Sequence, residues 1–214
     1  MTARDLIYRI ISNPRVFQIQ TTLLRGHRLN DALLPVARRA TSGRTEGKVI
    51  DVGGGTASAR SLWPDSWTYI SIDSDPRLVT FSNTDDAMRK FVGDASRLAL
   101  RDDSVDIVLM KNVSHHLDNE KWLKALSEAE RVLSPDGRFI FLDAVRTPRR
   151  PISRLAWSLD AGRFPRISTS IENAIAAHFE IDELERMTFL HHCILLTGRP
   201  RKAHAARVPD QSVT

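Results

Sequence analysis

Three consecutive glycines directly after a short apolar segment constrain the fold of this chain more than any other feature of its sequence. Val49-Ile50-Asp51-Val52 is typical of a buried strand, and it runs into Gly53-Gly54-Gly55. Glycine permits a positive φ angle and lacks a Cβ atom, so a ligand can lie against the backbone of such a turn. The pattern predicts a ligand-binding turn between a first strand and a short helix over residues 56–62.

Strand and helix patterns alternate along residues 48–145. Further strands are predicted at residues 68–72, 90–92, 105–110 and 138–145, and the apolar face of residues 119–133 predicts a helix. This alternation indicates a parallel sheet with helices on both faces. Residues 181–190 and 192–198 predict a closing pair of strands. The expected fold class is α/β, a Rossmann-like doubly wound, mostly parallel sheet with an antiparallel edge strand.

Acidic residues follow the predicted strands at positions that suit a nucleoside. Asp73 ends the second strand and could accept hydrogen bonds from both hydroxyls of a ribose. Asp94 ends the third strand, where a carboxylate could accept a hydrogen bond from an adenine amino group. A nicotinamide dinucleotide fits less well, because Ser58 stands where its G-x-G-x-x-G fingerprint requires glycine. Asp51 would also repel a pyrophosphate, whereas it suits a cationic ligand.

Five ordered motifs resemble those of class I S-adenosylmethionine-dependent methyltransferases of the small-molecule type. They are Lys48-Val-Ile-Asp-Val-Gly-Gly-Gly-Thr-Ala57, Ile72-Asp-Ser-Asp-Pro76, Gly93-Asp-Ala-Ser-Arg-Leu98, Asp102-Asp-Ser-Val-Asp-Ile-Val108 and Arg131-Val-Leu-Ser-Pro-Asp-Gly-Arg-Phe-Ile140. Each motif is weak alone, and the specificity of the resemblance comes from their order and spacing. The resemblance implies methyltransferase activity with S-adenosyl-L-methionine as the cofactor.

The resemblance also implies roles for individual residues. The cofactor-binding residues that it implies are Asp51, Gly53, Gly54, Gly55, Asp73, Ser74, Asp94, Ala95 and Asn112. Asp51 would organise the pocket for the methionine amino group, and Asn112 would line the sulfonium end. The chain departs from the family pattern at Ala57 and Asp136, where glycine is usual, and at Lys111, where a small or apolar residue is common. Lys111 either points away from the site or reaches toward an anionic substrate.

His115 and His116 follow the fourth strand, where the family places residues that face the reacting methyl group. A histidine there could accept a proton from a substrate hydroxyl, because its ordinary pKa is near neutrality. The alternative is that the His-His-Leu turn only packs against the fold. Methyl transfer needs little acid–base help, so positioning is expected to contribute most. We interpret His191, His192 and Cys193 as structural residues of a late strand and predict no metal site.

The expected domain is a single one over residues 1–201. It divides into an N-terminal helical cap (1–47), a cofactor-binding half (48–145), a lid or acceptor segment (146–178) and closing strands (179–201), with a disordered tail at 202–214. Within the lid or acceptor segment, residues 151–178 are predicted to be helical in two pieces. The chain has one cysteine, no recognisable signal peptide and no apolar run long enough for a membrane-spanning helix. We therefore expect a cytoplasmic protein.

The net charge of +5 is unevenly distributed. Residues 49–145 contain eleven basic and sixteen acidic residues, whereas residues 146–166 contain six arginines and one aspartate. An acidic cofactor half and basic flanks favour a small-molecule acceptor that is anionic or lipid-linked, with peripheral membrane contact as one possibility. Methylation at oxygen is a separate expectation. Two alternatives stay open: an S-adenosylmethionine-binding protein without methyl transfer, and an RNA methyltransferase, for which the high isoelectric point is a mild indication. A nucleic-acid partner is not expected, because the sequence has no Asn/Asp-Pro-Pro-Tyr/Phe motif and no appended RNA-binding module.

Overall fold

The computed structural model describes residues 27–81, 86–147, 157, 162–188 and 192–201. The described helices are α1 (His27–Thr41), α2 (Pro76–Phe81), α3 (Asn119–Val132) and α4 (Ser168–Ala176). The strands are β1 (Gly47–Val52), β2 (Trp67–Asp73), β3 (Met88–Val92), β4 (Val105–Lys111), β5 (Leu133–Val145), β6 (Phe179–Thr188) and β7 (His192–Pro200). The expectations for residues 1–26 and 202–214 lie outside the described residues.

The strands form one sheet in the order β3-β2-β1-β4-β5-β7-β6. Neighbours among β1 to β5 are parallel, while β7 pairs antiparallel with β5 and β6 pairs antiparallel with β7. This confirms the predicted doubly wound, mostly parallel sheet with an antiparallel edge. The chain order reverses direction between β1 and β4, and ligands of such sheets bind at the carboxyl ends of the strands at this switch point.

Alternating side chains of the central strands build a separate apolar core on each face of the sheet. Ile50 and Val108 point to the face that is covered by α3 and α4, and Val49 and Ile107 point to the face that is covered by α1. Strands buried on both faces read as continuous apolar runs, as β1 and β4 do. Asp51 is the exception within β1, because it is buried on the α1 face.

The helix α3 shows why its boundaries could be predicted. The Asp118 carboxylate accepts a hydrogen bond from the backbone N–H of Lys121 at 2.8 Å and caps the helix. Five apolar residues then recur at helical spacing and are buried: Trp122, Ala125, Leu126, Ala129 and Val132. The helix ends at Val132, one residue before its predicted end, and the chain continues directly into β5 at Leu133.

Two predicted elements differ in the structure. The helix predicted over residues 56–62 is wrong: a series of turns leads to one short 3₁₀ turn at Arg60–Leu62. The physical reason is that Ala57 adopts a φ angle of 59°, which an α-helix does not permit. Of the helical segment predicted over residues 151–178, the structure has α4 at Ser168–Ala176, irregular backbone at 162–167 and a helical Trp157. The remaining positions lie outside the described residues.

Candidate functional site

The three glycines Gly53-Gly54-Gly55, here called the glycine turn, lie at the carboxyl end of β1, at the switch point of the sheet. Gly53 and Gly55 have φ angles of 73° and 55°, which favour glycine. The backbone N–H groups of Gly53 and Gly54 donate to the carbonyl of Ile72, which fixes the turn against β2. A Cβ atom on Gly53 would overlap Val113, so this turn also lies close to the segment after β4.

Asp73 ends β2 and connects that strand to the glycine turn. Its Oδ2 atom accepts a hydrogen bond from the N–H of Gly55, and its Oδ1 atom accepts one from the N–H of Asp75, each at 2.9 Å. Burial raises the pKa of Asp73, although these hydrogen bonds oppose the shift. Each carboxylate oxygen keeps a further lone pair with which it can accept a hydroxyl. Ser74 follows in an exposed bend.

Asp94 and Ala95 follow β3 at the same edge of the sheet. The Asp94 carboxylate accepts hydrogen bonds from the N–H and the hydroxyl of Ser96, at 2.9 and 2.7 Å, and these lower its pKa. Its second oxygen lies 3.7 Å from the Nζ atom of Lys121 in α3. Ala95 is buried, whereas the carboxylate is exposed and accessible to a ligand.

Asp51 is a buried carboxylate directly beneath the glycine turn. The Tyr69 hydroxyl donates to its Oδ2 atom, while its Oδ1 atom has no hydrogen-bond partner among the residues that the structure describes. Burial raises the pKa of Asp51, and Lys111 and Tyr69 oppose the shift. The carboxylate fits under the turn because Gly54 has no side chain: a Cβ atom there would lie 3.0 Å from Asp51 and overlap Ser71.

Asn112 and Ala57 occupy left-handed backbone on opposite sides of the turn. Asn112 has a φ angle of 54°, and its N–H donates to the carbonyl of Leu142 at 2.9 Å, so it lies just beyond the end of β4. Asparagine tolerates this conformation better than most residues. Ala57 has a φ angle of 59°, a conformation that glycine adopts more readily than alanine.

Lys111 ends β4 and is directed into the fold, toward α1. Its Nζ atom donates to the Oγ atom of Ser58 at 3.0 Å and to the Oδ1 atom of Asn30 at 3.1 Å. Burial lowers the pKa of Lys111, and Asp51 opposes this shift. The lysine therefore lies on the side of the glycine turn and does not point away from the site. It belongs to a polar cluster with Ser58 and Asn30 that the sequence analysis did not predict.

His115 is buried and paired with a carboxylate that the sequence analysis missed. Its Nδ1 atom lies 2.7 Å from the Oδ1 atom of Asp143, a fully buried residue of β5. The other Asp143 oxygen accepts hydrogen bonds from the N–H and hydroxyl of Ser114, and the N–H of Ala144 donates to Oδ1. Burial favours the neutral acid, but His115 and these donors outweigh it and hold the pKa of Asp143 below its ordinary value.

The two candidate histidines therefore differ. His116 is exposed, and its ring centroid lies 4.3 Å from that of His115. The ring of Trp157 contacts His115 edge-on from the segment that was expected to form the lid, with ring centroids 5.5 Å apart. The sequence did contain a signal for this site: Asp143 is an acidic residue within the otherwise apolar end of β5, and a buried carboxylate requires hydrogen-bond or charged partners.

Arg166 holds the segment before α4 against the His115 turn. Its guanidinium donates to the carbonyls of Ser114 and Leu117 and to the side chain of Asn119. Phe164 also donates its N–H to the carbonyl of His115 at 3.0 Å. Residues 164–166 therefore lie against the turn that carries the two histidines.

Metal ligands and membrane spans were also sought in the described part of the chain. No group of three or more His, Cys, Asp or Glu side chains in these ranges could hold a metal ion. None of the described helices is long and apolar enough to cross a membrane. Cys193 is buried in β7, and His192 contacts Thr188 on the neighbouring strand.

Comparison with known proteins gives the family of the central segment. Residues 50–141 match the family model described as a methyltransferase domain. An uncharacterized methyltransferase of Bacillus subtilis, YcgJ, is 32% identical over 108 residues, which are 47% of this chain and 42% of YcgJ. The chain thus matches less than half the length of this curated relative.

Solved structures share the fold over most of the chain. The PH0226 protein of Pyrococcus horikoshii has a TM-score of 0.68 at 20% identity, covering 87% of this chain and 97% of its own. Geranyl diphosphate C-methyltransferase of Streptomyces coelicolor, solved with Mg2+, geranyl diphosphate and S-adenosyl-L-homocysteine, has a TM-score of 0.65 at 13% identity, covering 81% of each chain. The family model matched over residues 50–141 and the sheet topology agree with the resemblance of this segment to class I S-adenosylmethionine-dependent methyltransferases.

Proposed function

We propose that this protein transfers the methyl group of S-adenosylmethionine to an oxygen atom of a small-molecule or lipid-linked acceptor. The pairing of His115 with Asp143, at the carboxyl ends of β4 and β5, is the observation that carries the proposal. A hydroxyl acceptor must lose its proton, and an imidazole held by a buried carboxylate can accept one. The Streptomyces coelicolor neighbour is named for methylation at carbon, so the fold suits more than one acceptor atom.

The residues around the glycine turn fit this cofactor. A turn without side chains lets a nucleoside lie against the backbone. The buried Oδ1 atom of Asp51, which has no hydrogen-bond partner in the described part of the chain, suits a cationic group. Asp73 would bind the ribose hydroxyls, and Asp94 with the N–H of Ala95 would bind the adenine. The turn, Ser74 and Asn112 would complete the pocket around the ribose and the sulfonium end. The bound cofactor supplies an activated methyl group.

The protonation of the His115–Asp143 pair follows from its environment. Because the pKa of Asp143 is held low, its carboxylate is ionised and can only accept hydrogen bonds. In its neutral form, His115 would donate from Nδ1 to this carboxylate, and Nε2 would carry the lone pair that can accept a proton. His116 is exposed and is therefore less suited to act as the general base. Positioning of acceptor and cofactor supplies most of the remaining rate enhancement.

The lid segment supports an acceptor that is partly apolar. Phe164 and Ile167, which flank Arg166, are 40% and 48% exposed. Exposed apolar side chains among basic residues suit an amphipathic or lipid-linked molecule. Arg166 itself is bound to backbone carbonyls, so any anionic group of the acceptor would be bound by other arginines of the segment.

Calorimetry with S-adenosylhomocysteine tests the cofactor site. Asp73→Ala should weaken binding by about 2–4 kcal/mol, because it removes charge-assisted hydrogen bonds. Asp65→Ala is the control, since Asp65 is fully exposed and only approaches Arg60. Tighter binding of a nicotinamide dinucleotide by the parent protein would contradict the proposal.

Methyl transfer to a panel of hydroxyl-bearing acceptors tests the base. His115→Gln should lower turnover about 10²- to 10⁴-fold and leave cofactor binding unchanged. His178→Gln is a matched control, because His178 forms a similar pair with Glu130, at 2.8 Å, between α4 and α3. A loss below tenfold in His115→Gln would leave positioning as the whole mechanism.

A further inference from the structure

A small polar cluster joins three elements beside the glycine turn. Lys111, at the end of β4, donates to Ser58 beyond the turn and to Asn30 of α1. The Nδ2 atom of Asn30 donates in turn to the carbonyl of Ser58 at 3.0 Å. This second bond fixes the orientation of the Asn30 amide, so its oxygen is held toward the lysine. The ammonium group is thus positioned by two neutral oxygens from different parts of the chain.

The same cluster contains an anion. Asp51 pairs with Leu109 in the register of β1 and β4, and Lys111 lies two residues beyond Leu109 on the same face of the sheet. Asp51 and Lys111 are close enough to shift each other's pKa. One Asp51 oxygen is buried without a hydrogen-bond partner within the described ranges. A partly buried cation and a buried anion therefore flank the turn on the α1 side.

We propose that Lys111, held by Asn30 and Ser58, binds the carboxylate of the cofactor's methionine portion. The amino-acid end of S-adenosylmethionine is a zwitterion, and a lysine and an aspartate at one turn complement its two charges. Asp51 would attract the ammonium group, and Lys111 the carboxylate. A carboxylate also offsets the desolvation that lowers the pKa of Lys111. This inference rests on the proposed function, because it requires the cofactor to occupy the glycine turn.

A competing arrangement predicts the opposite effect of a Lys111 substitution on cofactor affinity. If Lys111 only neutralises Asp51, its ammonium group occupies the place that the cofactor's own ammonium group would take. Removing the lysine would then free Asp51 for the cofactor, and binding would strengthen. If Lys111 binds the carboxylate, its removal weakens binding, and only for ligands that have a carboxylate. The sign of the change and its ligand dependence therefore separate the two arrangements.

The test is calorimetric binding of S-adenosylmethionine and of decarboxylated S-adenosylmethionine, which keeps the ammonium and sulfonium groups. The parent protein should prefer the carboxylated compound at least tenfold. Lys111→Met should weaken binding of S-adenosylmethionine about 10- to 100-fold and change binding of the decarboxylated compound less than about threefold. Lys124→Met is the matched control, because Lys124 lies on the surface of α3 and pairs only locally with Glu120.

Asn30→Ala is the second variant, to be used if Lys111→Met fails to fold as judged by circular dichroism. It keeps the lysine but removes its support, so it should give a smaller loss that is again confined to the carboxylated ligand. Equal losses for both ligands, unchanged binding or stronger binding in Lys111→Met would overturn the inference. Equal affinity of the parent for both ligands would also overturn it. If the parent binds neither compound, the proposed function itself fails.

Discussion

The Nδ1 atom of His115 lies 2.7 Å from the Oδ1 atom of Asp143, and this contact joins the turn after β4 to the interior of β5. Asp143 has no exposed surface, and its other partners are donors from Ser114 and Ala144. A carboxylate in this environment is costly unless every partner donates to it. The pair is therefore suited to fix both the orientation and the tautomer of the histidine.

The variant Asp143→Asn should disturb the orientation and tautomer of His115 without changing cofactor binding. The asparagine amide can present an N–H to Nδ1, which would favour the wrong tautomer and leave Nε2 protonated. We expect turnover to fall by about 10²-fold or more and cofactor affinity to remain within about threefold. The pH–rate profile distinguishes this role from a structural one, because the variant should lose the acid limb that titration of a histidine base produces. An unchanged profile with a uniformly lower rate would contradict it.

Asp143 should also make folding stability depend on pH in a defined direction. Its pKa in the folded protein lies below the ordinary value of about 3.9, so the unfolded chain binds the proton more readily. The stabilisation is present above the unfolded pKa and is lost as the pH falls through the folded pKa. The difference in unfolding free energy between the parent and Asp143→Asn should therefore shrink below about pH 4. Urea unfolding of both proteins at several pH values measures it, and parallel curves would contradict the assignment.

Gly54 and Ser71 should show coupled effects, because a Cβ atom on Gly54 would overlap the Ser71 hydroxyl. Gly54→Ala should destabilise the protein by about 1–3 kcal/mol, as overpacking does. Ser71→Ala removes the hydroxyl, so the double variant should recover at least about half of that loss. Thermal or urea unfolding of all four proteins gives the coupling free energy. Simple additivity would mean that Asp51, 3.0 Å from the same point, is the obstacle.

Sequence reasoning located the strands and the glycine turn because both depend on local pattern. The alternation in β2 and the apolar run of β4 determine which positions face the core, and Gly53 with Gly55 marks the left-handed turn. Ala57 shows the limit of local reasoning: its neighbours predict a helix, but its φ angle is 59° and the backbone forms turns instead.

The contacts that complete the site are long-range, and no periodicity reveals them. His115 and Asp143 are 28 residues apart, and Lys111 and Asn30 are 81 residues apart. The first pair exists because β4 and β5 are neighbours, and the second because α1 covers that face of the sheet. Unusual residue types were the only local signal: Lys111 was noted as a departure from the family pattern, whereas the carboxylate of Asp143 within the apolar β5 was overlooked.

The basic segment after β5 gives the last prediction. Arg149, Arg150 and Arg154 lie outside the described residues, while Arg166 of the same segment is bound to backbone carbonyls. If the acceptor is anionic or is presented at an anionic surface, the first three arginines are the candidates to bind it, since guanidinium groups bind phosphate and carboxylate in pairs of hydrogen bonds. Their combined substitution by glutamine should weaken sedimentation with anionic vesicles, or turnover of phosphorylated acceptors, by about tenfold or more at physiological salt.

A second triple variant separates local recognition from net charge. Arg101, Lys124 and Arg186 are solvent-exposed residues elsewhere on the surface, and their substitution by glutamine removes the same formal charge. Long-range attraction is screened within about 8 Å at physiological salt, so this variant should bind anionic vesicles nearly as well as the parent. Cofactor binding should persist in both variants, because none of the six is among the residues proposed to bind the cofactor. If both triple variants bind anionic vesicles equally weakly, the basic segment contributes only through the overall charge of the protein. If neither variant binds vesicles or phosphorylated acceptors more weakly than the parent, the segment is not a surface for an anionic acceptor.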